Sequence, residues 1–243
     1  MLGPMKQASF SQAINEQSST CKELIGTLRI THDGRKFRYA KAGADLSAGT
    51  ITAAAQLNAA HVNESVGMAV DVGESQLTLT ITQGAAIAEN QLVGGFLQIN
   101  AGDGAGYQYS IDGNSELDAT GTSIVISLAE PIRKVLAAAT SKYTLIPSPW
   151  YGVVTSAVEE NLPAGVPIID VDEGDYFWCQ TGGEALVKVA GTPAVGTALT
   201  LSSTPGSLAA VTTPLVVDIP TCGVLWGTVG VAGEFKPVKL LLD

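Results

Sequence analysis

The chain has 243 residues, a net charge of −10 and 46% hydrophobic residues, so it is long enough to bury its own core and too apolar for disorder. Only 15% of its residues are charged, against a usual ~25%, and 27 are glycine, which points to a turn-rich body. The acidic balance argues against a primary nucleic-acid binder, and two histidines argue against a histidine-rich metal enzyme.

Met1 to Thr20 is polar and carries no apolar run of the kind a secretory signal needs, so synthesis in a cytoplasm is expected. The segment 1–25 reads as an extended arm able to order across a neighbour. From Gly26 the pattern changes. Leu28 and Ile30 alternate with polar residues, Asp33-Gly34 follows, and Phe37 and Tyr39 alternate with Lys36 and Arg38. Two alternating runs joined at Asp-Gly predict a β-hairpin. An Ala-rich run from Thr52 to Val62 predicts a short helix. Strands are predicted at Gln76–Thr82, at Leu92–Asn100, from Tyr107 to Ile111 and from Ile124 to Leu128, with Asp112-Gly113-Asn114 as a turn. Glu130-Pro131 ahead of Ile132, Val135 and Leu136 predicts a second short helix with proline in its first turn. Further strands are predicted at Tyr176–Thr181, Ala185–Val189, Ala198–Leu201, Ala209–Val217, Val224–Val229 and Phe235–Leu242.

This pattern predicts an all-β protein of two turn-rich antiparallel domains, each a small barrel or sandwich, with very little helix. Pro147-Ser148-Pro149 and Asn161-Leu162-Pro163 punctuate the middle, so the domains are expected at 26–155 and 156–243, the second a small β-barrel. Gly49-Thr50-Ile51-Thr52 and Gly196-Thr197-Ala198-Leu199-Thr200 echo one another after similar Ala-Gly pairs. Shared turn chemistry explains the echo as well as duplication does. The longest uncharged stretch, Val189 to Val217, holds Pro193, Pro205 and Pro214, so no membrane helix is expected there.

The charge is uneven. Residues 1–41 hold seven basic against three acidic residues, and the remainder holds six against twenty. Arg29, Arg35, Lys36, Arg38 and Lys41 therefore form a basic cluster on the first hairpin, suited to an acidic partner or to an ordinary solvated strand face. Asp170, Asp172, Glu173 and Asp175 lack the spacing and distal Glu of a calcium loop and read as an acidic turn before a strand. Gly102, Gly104 and Gly106 precede an alternating strand rather than a helix, which argues against a nucleotide loop. His32 and His61 have no metal-site neighbours in sequence. Cys21, Cys179 and Cys222 form no C-x-x-C pair, and the last two are expected as buried thiols. The aromatic foci Trp150-Tyr151 and Tyr176-Phe177-Trp178 are expected mainly in the core. No nucleophile set or acid pair stands out, so neither catalysis nor a cofactor is expected.

Three stretches carry a resemblance: Gly34 to Gly43 with Leu46-Ser47-Ala48-Gly49; Gly94 to Asn100 with Gly104 to Ile111; and Gly174 to Gly183 with Leu186 to Val189. Together they resemble the capsid decoration, or cement, proteins of tailed bacteriophages. The resemblance implies a non-enzymatic protein on the outer surface of an icosahedral virion. There it would act as a dimer or trimer, clamping neighbouring subunits of the major capsid protein. Arg29, Arg35, Lys36, Arg38 and Lys41 are the candidate capsid contacts. A head-fibre, tail or receptor- and glycan-binding virion module is the alternative, with exposed aromatic residues on loops as its sign.

Overall fold

Alternation of buried and exposed side chains builds nearly every element. In the computed structural model, the described residues are 10–84, 86–159, 161–211 and 220–243. They form the strands β1 (Leu28–Ile30), β2 (Lys36–Ala42), β3 (Thr52–Ala53), β4 (Glu64–Ser65), β5 (Gln76–Thr80), β6 (Phe96–Ala101), β7 (Gln108–Asn114) and β8 (Ser123–Leu128). These are followed by β9 (Lys142–Ile146), β10 (Tyr151–Thr155), β11 (Pro163–Pro167), β12 (Tyr176–Lys188), β13 (Ala198–Leu201), β14 (Leu208–Ala210), β15 (Thr221–Leu225) and β16 (Phe235–Leu241). The fold is all-β, as the sequence predicts. No helix among the described residues is long and apolar enough to cross a membrane.

The chain divides in a nested way rather than at 155/156. Residues up to Ala55 belong with Gly152–Asp243, and Gln56–Tyr151 forms a second unit. Strand pairing is the reason. β2 runs antiparallel along β12, from Lys41 opposite Tyr176 to Lys36 opposite Gly182, so the first hairpin is structurally part of the C-terminal half.

In the first unit the strand order is β1-β2-β10-β3-β11-β12-β16-β15-β13-β14, with an extra β2–β12 pairing. That pairing closes β2, β10, β3, β11 and β12 into a ring. The far end of β12 pairs with β16, and Val189 just beyond it bridges Leu208 of β14. A second ring, from β12 through β16, β15 and β13 to β14, is closed in this way. β12 thus serves two barrels with its 13 residues, where the sequence pattern suggested two separate strands. The second barrel is filled by Ile51, Val187, Val189, Leu199, Leu201, Leu208, Leu225, Val238 and Leu240. In the second unit the order β4-β9-β6-β7-β8-β5 wraps around Leu79, Leu97, Ile99, Tyr109, Ile124, Ile126, Tyr143 and Leu145. The Tyr143 hydroxyl donates to the Thr80 carbonyl, joining β9 to β5 across this barrel-like sheet.

Both predicted helices give way to extended chain. Ile132 N donates to Glu74 O and Leu136 N to Val70 O, so these main-chain donors are used across the sheet and are lost to a helical ladder. In the Ala-rich run, Thr52 and Ala53 pair with Thr155 and Val154, and only Ala59–His61 forms one turn of 3-10 helix, capped by Asn58. Asp112-Gly113-Asn114 is not a turn but the bulged end of β7. There the buried Asn114 side chain accepts from Leu92 N and donates to Ala88 O, which holds the 88–92 loop. The strand predicted at Ala209–Val217 appears as β14, and residues 212–217 lie outside the described residues.

One local unit recurs. Leu46 and Val171 exchange two main-chain hydrogen bonds, as do Val70 with Leu136 and Ile87 with Leu117. All six side chains are buried. Three residues after Leu46, Val70, Ile87, Leu136 and Val171 stand Gly49, Gly73, Asn90, Ala139 and Gly174, each with positive φ. The apolar residue anchors the chain and the left-handed residue turns it into the next strand. Gly196 shares the positive φ of Gly49, so the echo between the two halves includes the same turn conformation. Ala139, at φ 62 and exposed, lacks the freedom that glycine brings to this position. Ala139→Gly is therefore expected to stabilise the chain by about 0.5–1 kcal/mol in urea unfolding.

Candidate interaction surfaces

The basic hairpin is held by the chain itself. The Arg29 guanidinium lies 4.9 Å from the Phe10 ring centroid and 5.3 Å from that of Trp178, and its Nη1 donates to Gln12 O at 2.8 Å. Burial lowers its pKa. Arg35 pairs with Asp33 at 2.7 Å across the hairpin turn, where Thr31 and the Arg35 amide hold the Asp33 carboxyl down at about 2. Arg38 grips Asp243 with two nitrogens, at 2.8 and 3.0 Å, and Lys36 Nζ donates to Asp243 O. Lys41 Nζ lies 5.4 Å from the Tyr176 ring centroid. All five side chains are half-buried. The hairpin was legible in sequence, but its distant partners Gln12, Tyr176 and Asp243 were not.

The Arg38–Asp243 pair is also bonded by Thr181 Oγ1, and these contacts lower the Asp243 pKa, Arg38 foremost. Asp243→Asn is expected to cost roughly 1 kcal/mol at pH 7, since the pair is partly exposed. The folded carboxyl has the lower pKa, so its contribution is present above the ordinary value of 3.8 and is lost as pH falls through the lowered one. Urea titrations at pH 7 and pH 2.5 check this: the difference between the two proteins should be full at the first and smaller at the second.

The arm, from Phe10 to Ile25, docks on its own body. Phe10 meets Trp178 edge-on at 5.0 Å, and Ser18 and Tyr176 exchange two main-chain hydrogen bonds. Gln12, 3% exposed, is the latch. Its Nε2 donates to Glu16 O and Tyr176 O, its Oε1 accepts from the Tyr39 hydroxyl, and its carbonyl accepts from Trp178 Nε1. Burial pushes Tyr39 up to about 12. The arm covers a patch formed by Phe37, Tyr39 and Trp178.

The acidic run forms the turn ahead of β12. Asp170 Oδ1 accepts from Ala48 N, and Asp172 exchanges two hydrogen bonds with the Gln17 side chain. Among the described residues, no group of three or more His, Cys, Asp or Glu could hold a metal ion. His61 is buried with Nε2 unpartnered, and burial lowers its pKa. Cys179 and Cys222 are buried free thiols pushed up to about 12, and Cys21 is exposed.

No family model, curated protein or solved structure matches this chain.

Two apolar surfaces stand open among the described residues, and sequence reading passed over them. A recess of about 280 Å³ is lined by Ala48, Gly49, Val166, Pro167, Leu186 and Phe235. Leu186 and Phe235 face outward beside it. Their alternation in β12 and β16 marks an outward face, where apolar residues were the available signal. At the end of the second barrel, the loops 191–197 and 226–234 carry exposed Val195, Trp226, Val229 and Val231.

Proposed function

We propose that this is a non-enzymatic structural protein of a tailed-phage virion. It is made in the host cytoplasm and seated on the outer face of the icosahedral head, where oligomers clamp neighbouring major-capsid subunits. The observation that carries this reading is the shared strand β12, which ties two closed rings into one stiff body with apolar residues left on its outside. Such a body loses little conformational entropy on docking. The resemblance of the three glycine-punctuated stretches to decoration proteins supports it. A net charge of −10 is consistent with a shell protein that does not trap nucleic acid during assembly.

The test is to mix the purified protein with undecorated heads of its cognate phage and image them by electron cryomicroscopy. Ordered density on the outer face at symmetry axes is the expected result. Bare heads would overturn the reading. A head-fibre, tail or receptor-binding role would then take its place, a reading that the exposed loop residue Trp226 favours.

A further inference from the structure

The loops 191–197 and 226–234 are knit together by main-chain bonds from Gly196 N to Leu225 O and from Gly230 N to Pro193 O, each 2.8 Å. A Cβ on Gly230 would lie 2.4 Å from Pro193 Cδ, so the second loop presses directly on the first. This packing leaves Val195, Trp226, Val229 and Val231 exposed at 52, 44, 54 and 44%. No residue from Val189 to Thr200 or from Thr221 to Gly233 is charged, in a chain of net charge −10. The first charge after the tip, Glu234, is paired with Lys236 at 2.7 Å. An apolar tip with a tryptophan, which with Tyr107 and Phe235 makes up the exposed aromatics among the described residues, has the composition of an interface hot spot.

We infer that this tip, centred on Trp226, is where the protein contacts its partner, and that the partner presents an apolar, uncharged protein surface repeated in an array. The inference rests on the capsid-surface reading and moves the contact away from the basic hairpin, whose five cations are engaged within the chain. Three observations select the occupant. A sugar needs several hydrogen-bonding side chains around the stacked ring, and the two loops offer only Thr hydroxyls and Glu234, which is paired with Lys236. An anionic lipid surface needs free cations, and the neighbouring Lys236 is paired. A stable dimer buries ~20–30 residues a side, more than the thirteen exposed residues of the two loops supply. A small apolar contact becomes strong only when repeated, as on a lattice of identical subunits.

The experiment measures binding to undecorated cognate heads by co-sedimentation, for the full chain and for Trp226→Asp and Val229→Asp, with circular dichroism melts of each. The wild type is expected to bind with less than about a twofold change between 50 and 500 mM NaCl, since apolar contacts are not screened. Trp226→Asp is expected to weaken binding roughly thirtyfold, and the fully loop-borne Val229→Asp to weaken it similarly with an unchanged melt. Failure of the wild type to bind heads would overturn the capsid reading itself. Binding by the wild type that both variants keep, or that falls tenfold with salt, would overturn the tip as the contact. Capture of the wild type by a glycan array or by phosphatidylcholine/phosphatidylglycerol vesicles instead of heads would overturn the protein-surface assignment.

Discussion

Gln12→Ala is expected to lower the unfolding free energy by about 2 kcal/mol and to loosen the arm on its seat. The substitution takes one of two donors from the Tyr176 carbonyl, which keeps Ser18 N, and leaves the Tyr39 hydroxyl accepting from Lys22 N with no acceptor for its own proton. A buried polar atom that loses its partner costs ~1–3 kcal/mol, more than the net value of the hydrogen bond it made. Phe10 would then lose its fixed approach to Trp178, and Arg29 its acceptor on the Gln12 carbonyl. Urea unfolding gives the energy. Trypsin cleavage after the exposed Lys22 reports the arm and should accelerate in the variant. Equal cleavage rates would mean that the arm is held by its apolar residues alone. Tyr39→Phe removes the other half of the same contact, and the double variant should cost less than the sum of the two.

Gly165→Ala is expected to cost about 3 kcal/mol or more, without any change in charge or polarity. Gly165 lies in β11 at a bulge between β3 and β12, with φ 148. An added Cβ would sit 2.6 Å from Cys179 Sγ and 2.7 Å from Gln180 O. The first neighbour is a fully buried thiol and the second is backbone of the central strand, so neither can yield cheaply. The Gly165 carbonyl also accepts from the buried Thr52 hydroxyl, which pins the residue in place. Gly34→Ala is the control: a Cβ there would meet nothing within 4 Å, so only its φ of 85 is penalised, at about 1 kcal/mol. Equal losses in the two variants would show that conformational strain, rather than the closeness of β12, sets the cost.

Local signals in the sequence identified most of the strands. Leu77 and Leu79, Tyr109 and Ile111, and Ile124 and Ile126 fall at alternate positions, and a strand with one face buried enforces that period. Asp33-Gly34 marked the first hairpin because a residue with positive φ closes such a turn cheaply, and Gly34 has φ 85. The helix expected around Ile132 and Leu136 failed for a related reason. Apolar residues four apart satisfy a helical period, but Leu136 bridges Val70 and Ile132 bonds to Gly73 and Glu74, which satisfies extended chain instead.

Local residue patterns were enough for the all-β class, the hairpin turn at Asp33-Gly34, the buried Cys179 and Cys222 and the acidic turn ahead of β12. Each depends on a residue's own conformational freedom or on its near neighbours. Tertiary structure alone decided that β2 joins β12 across more than a hundred residues, that Arg38 spends its charge on Asp243, and that Gln12 seats the arm over Trp178. It also decided that Val195 and Trp226 stand exposed on one tip while the equally apolar Leu199 and Leu225 fill a barrel. These outcomes depend on which distant segments meet, and a pairing energy spread over many weak contacts leaves no mark at any single position.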